Sequence, residues 1–427
     1  MHPSKPLSIA LAVALTGTAA AQIDTGGFFI TGNPADRVYT HQLDKDKSTT
    51  HVVTGEVTND LITDVVAIMD GVVQLIVGPL YFNVQLDLPL PVGHIVATAC
   101  TTQAIESAKH EDVVASTALG LVRWIRNDAT GDYAPVSVNG STVWAGAQQL
   151  FVANVYPGAA DELVGLFQDV NGDTLVRVGS LDAAGITNLA SGLLPSTALS
   201  LHAINRDTTS PRDEIAVLFP TATFYLRSQG STLNAFAVDF YIDPAVCAAA
   251  IDDSRGEALA VVHETDASGE PSYELGVYRV SGASESRIPL GAQPILEIAA
   301  SQAAGDDGLD VATLTAGGVT VWRNKSAQTG GSFELYPAYP TDALNNPPDG
   351  TIITGDLTGL AFTDFDGDGD ADIYVESEQP GWHKAIAHVN PSVSQYVQAP
   401  LVQLPETGDE LDESNSIILQ RGPTQGS

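Results

Sequence analysis

Short apolar stretches rich in Val, Ile, Leu and Ala recur along the chain, and clusters of turn residues separate them. Helical periodicity is absent from these stretches, so the pattern predicts β-strands. An acidic residue followed at once by an apolar stretch occurs seven times: Asp64-Val65-Val66-Ala67, Asp112-Val113-Val114-Ala115, Glu162-Leu163-Val164-Gly165, Glu214-Ile215-Ala216-Val217, Glu257-Ala258-Leu259-Ala260, Asp310-Val311-Ala312-Thr313 and Asp372-Ile373-Tyr374-Val375.

These acids, called the junction acids below, are spaced at 48, 50, 52, 43, 53 and 62 residues. Seven units of four short strands predict an all-β fold, a seven-bladed β-propeller of four-stranded antiparallel blades. A blade cannot bury both of its faces alone, but blades packed in a ring can, and ring closure protects the strand edges. Small residues such as Ala97-Thr98-Ala99 fit innermost strands that crowd around the axis.

The N-terminus has the pattern of a secretory signal peptide. Lys5 gives a weakly basic start, residues 7–15 are apolar, and Ala19-Ala20-Ala21 forms a small-residue cleavage site. The apolar run is too short to span a bilayer comfortably, which disfavours an uncleaved anchor. We therefore predict a signal peptide over 1–21, a propeller over 22–404 and an acidic tail over 405–427, in a protein that is secreted or held at the cell surface.

Three further apolar stretches are candidates for the strand that closes the ring: Gly27-Phe28-Phe29-Ile30, Arg37-Val38-Tyr39-Thr40 and Ser416-Ile417-Ile418-Leu419. Propellers often close by pairing the chain ends in one blade. The sequence leaves open which of the three does so here.

Charge narrows the range of partners. The chain has 18 basic and 52 acidic residues, with a net charge of −34. This charge disfavours nucleic acid and anionic membranes as partners and favours cation binding. Cys100 and Cys247 are too few for a disulfide framework, and their apolar surroundings predict buried free thiols.

One stretch of the last unit concentrates carboxylates at alternate positions: Asp364, Asp366, Asp368, Asp370 and Asp372. These charges repel one another, and Ca²⁺ relieves the repulsion because it takes 6–8 oxygen ligands from acidic loops. Gly369 permits the tight turn around the ion, the Asp370 carbonyl can point inward, and Asp372 closes the shell. An EF-hand is disfavoured because position 12 is Val375 and the flanks are rich in β-formers. The alternative is a solvated acidic hairpin without metal.

The motif Asp-x-Asp-x-Asp-Gly-x-x-Asp at 364–372 resembles the hallmark of FG-GAP or VCBS repeats, found in integrin α-chain propellers and many secreted bacterial proteins. Val321-Trp322-Arg323-Asn324 and Trp124-Ile125-Arg126-Asn127 resemble the strand end that follows in such repeats. The resemblance covers residues 50–400, and the full motif occurs once. It implies Ca²⁺ in a structural role and ligand binding on one face.

The loops of four other units depart from the motif: Glu56, Asn59, Asp60 and Asp64; Asn205, Asp207, Asp213 and Glu214; Asp252, Asp253, Ser254 and Glu257; Asp306, Asp307, Gly308 and Asp310. Ligand number and spacing fall short of a calcium site in each. The expectation is that their junction acids accept hydrogen bonds from loop amides instead.

The sequence contains no Gly-x-Ser-x-Gly, His-Glu-x-x-His or phosphate-binding glycine motif. His383 and His388 fall on opposite faces of a strand, and the four tryptophans are expected to pack within blades. We predict a monomeric module that binds an extracellular protein or polysaccharide, with no nucleic acid partner and no membrane span. The alternatives are a polysaccharide lyase or hydrolase acting on one face, or a structural envelope component.

Overall fold

The structure is a computed structural model. It describes residues 29–31, 38–41, 49–58, 63–69, 72–77, 82–86, 97–101, 111–127, 129–156, 161–205, 212–251, 257–266, 270–279, 284–301, 309–316, 318–324, 333–335, 338–339, 351–354, 357–363, 372–377, 384–387, 389–390 and 395–397. The predicted signal peptide and the predicted tail lie outside these residues.

Strands account for most of the described chain. Before the first repeat come β1 (Phe29–Thr31) and β2 (Val38–His41). Units 1 to 3 are formed by β3 (Thr49–Gly55), β4 (Asp64–Met69), β5 (Val72–Val77), β6 (Phe82–Leu86); β7 (Ala97–Thr101), β8 (Asp112–Thr117), β9 (Gly120–Arg126), β10 (Tyr133–Ser137); β11 (Gln149–Ala153), β12 (Glu162–Gln168), β13 (Thr174–Asp182) and β14 (Gly185–Leu194). A 3-10 helix (Ser141–Trp144) lies between units 2 and 3.

Units 4 to 6 are formed by β15 (Ser200–Ile204), β16 (Glu214–Phe219), β17 (Ala222–Gln229), β18 (Thr232–Phe240); β19 (Ala245–Ile251), β20 (Ala258–Thr265), β21 (Ser272–Tyr278), β22 (Ser284–Gly291); β23 (Ile295–Ser301), β24 (Asp310–Thr315), β25 (Gly318–Asn324) and β26 (Phe333–Leu335). The remaining strands are β27 (Ala338–Tyr339), β28 (Thr351–Thr354), β29 (Leu357–Thr363), β30 (Asp372–Ser377), β31 (Lys384–Ala387), β32 (Val389–Asn390) and β33 (Gln395–Val397).

Units 1 to 6 each pair their four strands antiparallel in chain order. The predicted junctions are confirmed, because the second strand of each of these units begins at its junction acid or, for β20, one residue after Glu257. Units 3 and 4 share one parallel pair, Ser191 with Thr232. β25 pairs with β26 over its C-terminal half and with β28 over its N-terminal half.

Unit 7 joins the two ends of the chain in one sheet, in the order β29, β30, β31, β2, β1. β2 pairs antiparallel with β31, with Val38 opposite Ala387. The fourth position of this sheet is therefore filled from the N-terminal part of the chain. The first strands of successive units contact one another in the order β3, β7, β11, β15, β19, β23, β29, and β29 contacts β3.

The hydrophobic core lies in layers between successive units. Side chains of units 1 and 2 meet around Ile68 and Trp124, and those of units 2 and 3 meet around Trp144. Similar layers lie between units 3 and 4, units 4 and 5, and units 5 and 6. Fully burying one Val, Leu, Ile or Phe side chain contributes roughly 1.5–3 kcal/mol, so each layer stabilises both units that form it.

The antiparallel order separates two faces of the molecule. Loops after the first and third strands of each unit lie on one face, named here the junction face because the junction acids begin there. Turns after the second strand and the connections to the next unit lie on the other, named the connection face. Among the described residues, no helix is long and apolar enough to span a membrane.

Candidate functional site

The predicted calcium loop connects two neighbouring strands of unit 7. β29 ends at Thr363, β30 begins at Asp372, and these two residues face each other in the antiparallel register. The loop residues 364–371, including Asp364, Asp366, Asp368 and Asp370, lie outside the described residues, as does the side chain of Asp372. The flanking elements are strands, as the sequence predicts, and the five-carboxylate calcium site remains a prediction.

Junction acids of other units accept hydrogen bonds from backbone amides. Asp64 Oδ2 accepts from the amides of Val57 (3.0 Å) and Thr58 (2.9 Å). Asp310 Oδ1 accepts from the Asn324 amide at 2.7 Å. The expectation that junction acids accept hydrogen bonds from loop amides is confirmed for Asp64, whereas the donor to Asp310 is the last residue of β25.

Glu162, in a unit whose loop lacks the motif, has the same arrangement. Its Oε2 accepts from the amides of Val155 and Tyr156, both at 3.0 Å. Burial raises the pKa of Glu162, and the two amide hydrogen bonds act against that rise. The capped loop therefore depends on the acid at this position even where no metal motif is present.

Two junction acids pair with an arginine of the third strand, which the sequence analysis missed. Arg123 donates from Nε to Asp112 Oδ2 at 2.6 Å and also from Nη2, and both side chains are 2% exposed. In unit 4, Arg227 donates from Nη2 to Glu214 Oε1, and there the glutamate is buried while the arginine is 40% exposed. The signal in the sequence was an arginine within the third strand, in Leu121-Val122-Arg123 and Tyr225-Leu226-Arg227.

The junction face also ties successive units together. The Glu111 amide of unit 2 donates to the Glu56 carbonyl of unit 1 at 2.6 Å, and the Asp213 amide of unit 4 donates to the Asn154 carbonyl of unit 3 at 2.8 Å. The Asn154 amide returns a bond to Asp213 Oδ2 at 3.2 Å. Burial raises the pKa of both Glu111 and Asp213. These residues therefore help to hold neighbouring units together.

No group of three or more His, Cys, Asp or Glu side chains is placed to hold a metal within the part of the chain that the structure describes. Of the degenerate loops, Asn59, Asp60, Asp207, Asp252, Asp253, Ser254, Asp306, Asp307 and Gly308 lie outside that part.

A buried histidine joins units 4 and 5 near the connection face. His263 is 0% exposed, its Nδ1 lies 3.0 Å from the Asp243 carbonyl oxygen, and its Nε2 lies 2.8 Å from the Tyr278 hydroxyl. Because a carbonyl oxygen can only accept, Nδ1 carries the proton and the Tyr278 hydroxyl donates to Nε2. Burial lowers the pKa of His263 to about 4, so the imidazole is neutral at pH 7.

The ring of Tyr241 packs edge-on against His263, with centroids 4.9 Å apart. Arg287 closes the same region, with Nη1 at 2.5 Å from Asp243 Oδ2 and 3.4 Å from Glu274 Oε2. Gly276 leaves room for the Tyr278 ring, because a Cβ there would lie 2.9 Å from Tyr278 Cε2. The polar atoms of His263 are occupied by protein groups, so this cluster serves the joint between units 4 and 5.

A second histidine lies on an innermost strand. On β15, Ser200 Oγ lies 2.8 Å from His202 Nε2, and burial lowers the pKa of His202 to about 4. Residues two apart in a strand share a face, which brings these groups together without any further element. Gln149 of β11 holds β15 in register through bonds of 2.8 Å to both the amide and the carbonyl of Leu201.

The cysteines and tryptophans follow the sequence analysis in most respects. Cys100 and Cys247 are free thiols, as predicted, although their exposure is intermediate. Burial and then Glu297 raise the pKa of Cys247 to about 12, so this thiol is unreactive at neutral pH. Trp124, Trp144 and Trp322 are buried, in the layers where neighbouring units pack against each other. Trp382, His383 and His388 lie outside the described residues.

Comparisons with known proteins bear on the fold alone. No protein-family profile matches the chain, and no curated protein matches it. Among solved structures, the crystal structure of BBS1N in complex with ARL6DN, soaked with mercury, is 11% identical, with a TM-score of 0.52, and covers 84% of this chain and 95% of that chain. The same complex soaked with lead is 13% identical, with a TM-score of 0.50, and the match covers 81% of this chain and 95% of that chain. The crystal structure of a protein from Lactobacillus plantarum is 11% identical, with a TM-score of 0.44, and the match covers 83% of this chain and 96% of that chain.

At these identities the likeness defines a class of fold. The chain is an all-β protein of the β-propeller type, built from antiparallel sheets.

Proposed function

We propose that this chain is a secreted, seven-bladed propeller of the FG-GAP or VCBS type, stabilised by Ca²⁺, that binds an extracellular protein or polysaccharide. The blade number is supported by the first strands of seven units, which contact one another in sequence with β29 against β3. Secretion is supported by residues 1–21 alone. Mass spectrometry of protein from the native host should find Gln22 as the first residue, and a retained Met1 would contradict secretion.

The observation that supports a binding role is that the buried polar groups are bonded to other groups of the protein. Described junction acids are occupied by backbone amides or by arginine, and His263 is enclosed by Tyr241, Tyr278 and Asp243. Such groups hold the scaffold together and leave recognition to exposed loops. BBS1N, whose fold is similar, was solved in complex with ARL6DN, which is consistent with a propeller that binds a protein.

Calcium is assigned to the loop between β29 and β30. Thr363 opposite Asp372 brings the two ends of the loop together, so the five aspartates of 364–372 are confined to one short hairpin connection. A site with a Kd of about 10⁻⁴–10⁻³ M would add roughly 0.4–1.4 kcal/mol at about 1 mM Ca²⁺. The crowded carboxylates favour the tighter end of this range.

The enzyme alternative has one specific observation in its favour, the Ser200–His202 pair. The experiment that separates the two functions uses purified protein with immobilised glycans, matrix polymers and extracellular proteins, in Ca²⁺ and in EDTA. Saturable binding without release of reducing ends supports the binding module. Release of reducing ends that is lost in Ser200→Ala would replace it with a polysaccharide lyase or hydrolase.

A further inference from the structure

Two asparagine–glycine pairs occur in the sequence, and the same residue precedes both: Val138-Asn139-Gly140 and Val170-Asn171-Gly172. An asparagine followed by glycine is chemically labile, because the backbone nitrogen of the glycine can attack the side-chain amide and no Cβ stands in the way. Both asparagines are exposed, so neither the tripeptide nor exposure separates them. The two sites differ in what each turn is bonded to.

Asn139 is held by the neighbouring unit. It lies in the connection from unit 2 to unit 3, and its Nδ2 donates to the Ala184 carbonyl of unit 3 at 3.1 Å. Its own carbonyl accepts from the Ile186 amide at 2.9 Å. A Cβ on Gly185 would lie 2.8 Å from Asn139 Cβ, and a Cβ on Gly140 would lie 2.9 Å from the Ile186 carbonyl oxygen. Turning the Asn139 side chain towards the Gly140 nitrogen therefore first requires contacts between two units to break.

Asn171 is held within its own turn, between β12 and β13. In the described part of the chain, each of its hydrogen bonds ends on Asp169: the amide donates to Oδ1 at 2.7 Å, and Nδ2 donates to Oδ2 at 3.0 Å. The Gly172 amide also donates to the Asp169 carbonyl, at 3.1 Å. A Cβ on Gly172 would meet only Gln168 Nε2 within 4 Å, at 3.7 Å, so the space around this glycine is open.

The anchors of this turn lie on its C-terminal side. Thr197 Oγ1 donates to the Gly172 carbonyl at 3.0 Å, and the Ser196 amide donates to Asp173 Oδ1 at 3.1 Å. On the other side Val170 is fully exposed. Opening the tip therefore breaks surface bonds to one aspartate. Local openings of this kind occur at a much lower free energy than the separation of packed units.

We propose that Asn171 is a site of spontaneous deamidation in the folded protein, and that Asn139 in the same tripeptide is protected. The Gly172 nitrogen bonds to the carbonyl carbon of the Asn171 side chain. The bond from that carbon to Nδ2 breaks, and Nδ2 leaves as ammonia with the proton that the Gly172 amide gives up. Water then opens the cyclic imide at either carbonyl, which leaves aspartate or isoaspartate at position 171. The attack is intramolecular, so the geometry of the turn controls its rate.

The reaction weakens the turn that permits it. Nδ2 of Asn171 now donates to Asp169 Oδ2, and the product places a carboxylate oxygen in its stead, which repels Asp169. The chain also gains one negative charge on a net charge of −34. Converted chains should therefore bind more tightly to an anion-exchange column than unconverted ones. This inference does not depend on the proposed binding function.

The test compares the two sites within one protein. The purified protein is incubated in mildly alkaline buffer, and mass spectrometry follows the change from amide to acid in the peptides that contain residues 139 and 171. Position 171 should convert at least about tenfold faster, because a surface turn opens at a lower free energy than a joint between units. In concentrated urea the two positions should convert at similar rates, because the tripeptide is the same and unit 3 no longer holds Asn139.

Two variants test the role of the turn. Asp169→Ala removes the side-chain acceptors of Asn171 and should speed conversion at 171 without changing it at 139. Asn171→Gln is the matched control, since it keeps an amide on a longer side chain that does not form the five-membered imide, and its anion-exchange profile should stay constant. Equal rates at the two sites in the folded protein, or conversion at 139 first, would overturn the proposal. A folded protein in which neither site converts would overturn it as well, because the bonds to Asp169 would then protect Asn171 as fully as unit 3 protects Asn139.

Discussion

At the scale of single residues, burial decides which groups stay neutral and which stay charged. His263 and His202 are both held neutral with a pKa of about 4, because burial penalises the imidazolium. Asp112 stays paired because Arg123 enters the same buried layer. The calcium loop presents the opposite case, in which five acids share one loop and an ion would be needed to offset their repulsion.

Calcium should stabilise the fold through the loop of unit 7. Asp366→Asn should weaken Ca²⁺ binding, and Asp368→Ala should weaken it more because it deletes a ligand. Thermal unfolding in Ca²⁺ and in EDTA measures the effect, with calorimetry for binding itself. Asp182→Asn, in a turn of the junction face away from unit 7, is the control and should keep the calcium response. A wild type without any calcium-dependent shift up to millimolar levels would mean that the loop is an acidic hairpin.

Stability should fall as the pH drops from about 6.5 towards 4, through His263. The unfolded imidazole binds a proton near its ordinary pKa of 6.5, while the native one does so only near pH 4, so the unfolded state gains protons first. The difference amounts to about 3 kcal/mol at full effect. His202 acts in the same direction, whereas Glu111, Glu162 and Asp213, whose pKa values are raised, act in the opposite one.

Denaturant unfolding between pH 7.5 and 4.5 isolates the His263 contribution when wild type is compared with His263→Gln. The variant should start less stable and lose less stability over this range. His202→Gln, which removes the other histidine whose pKa is lowered, serves as the control. If His263→Gln loses as much stability as wild type, the imidazole is already exposed to protons in the native state.

At the scale of elements, side-chain contacts as well as backbone hydrogen bonds join the second and third strands of a unit. Asp112 begins β8 and Arg123 lies on β9, so their ion pair holds the start of one strand against the next. In units 1 and 3 the junction acid instead holds the loop from the first strand. One position in the repeat therefore accepts either a cation or backbone amides as the partner of its carboxylate.

Removing the arginine of a buried pair should be costly. Arg123→Met leaves Asp112 without its cation and should destabilise the protein by about 3–5 kcal/mol. Asp112→Asn/Arg123→Met should recover part of this loss, because the buried charge is gone as well. Urea unfolding of wild type and the two variants at pH 7 gives the comparison. A double variant no more stable than Arg123→Met would show that the loss comes from packing.

At the scale of the whole molecule, closure depends on residues far apart in the chain. β2 lies more than 340 residues before β31, yet the two pair over Val38–His41 and Lys384–Ala387. Bringing such distant segments together costs loop-closure entropy, which the pairing and the packing between units must exceed. The connection face likewise exists only once the turns of several units are arranged around one axis.

Removal of the N-terminal strands should destabilise the closed molecule. Deleting residues 22–41 leaves the outer edge of β31 unpaired and should cost about 2–4 kcal/mol, at roughly 1 kcal/mol for each backbone hydrogen bond lost. Deleting the predicted tail 405–427 is the control and should leave the unfolding midpoint unchanged. Equal midpoints for the 22–41 deletion and wild type would show that β2 contributes nothing to closure.

The sequence by itself determined the strands and their grouping. An acid followed by an apolar stretch marks the same structural point in each unit, since a strand start and its cap are local features that pattern and spacing encode. Burial of Trp124 and Trp144, the free cysteines and the strands that flank residues 364–371 were predictable for the same reason. Tertiary structure alone decided the rest. Arg123 lies against Asp112, Tyr278 against His263, and β2 against β31, because these contacts depend on register and on the packing of distant strands.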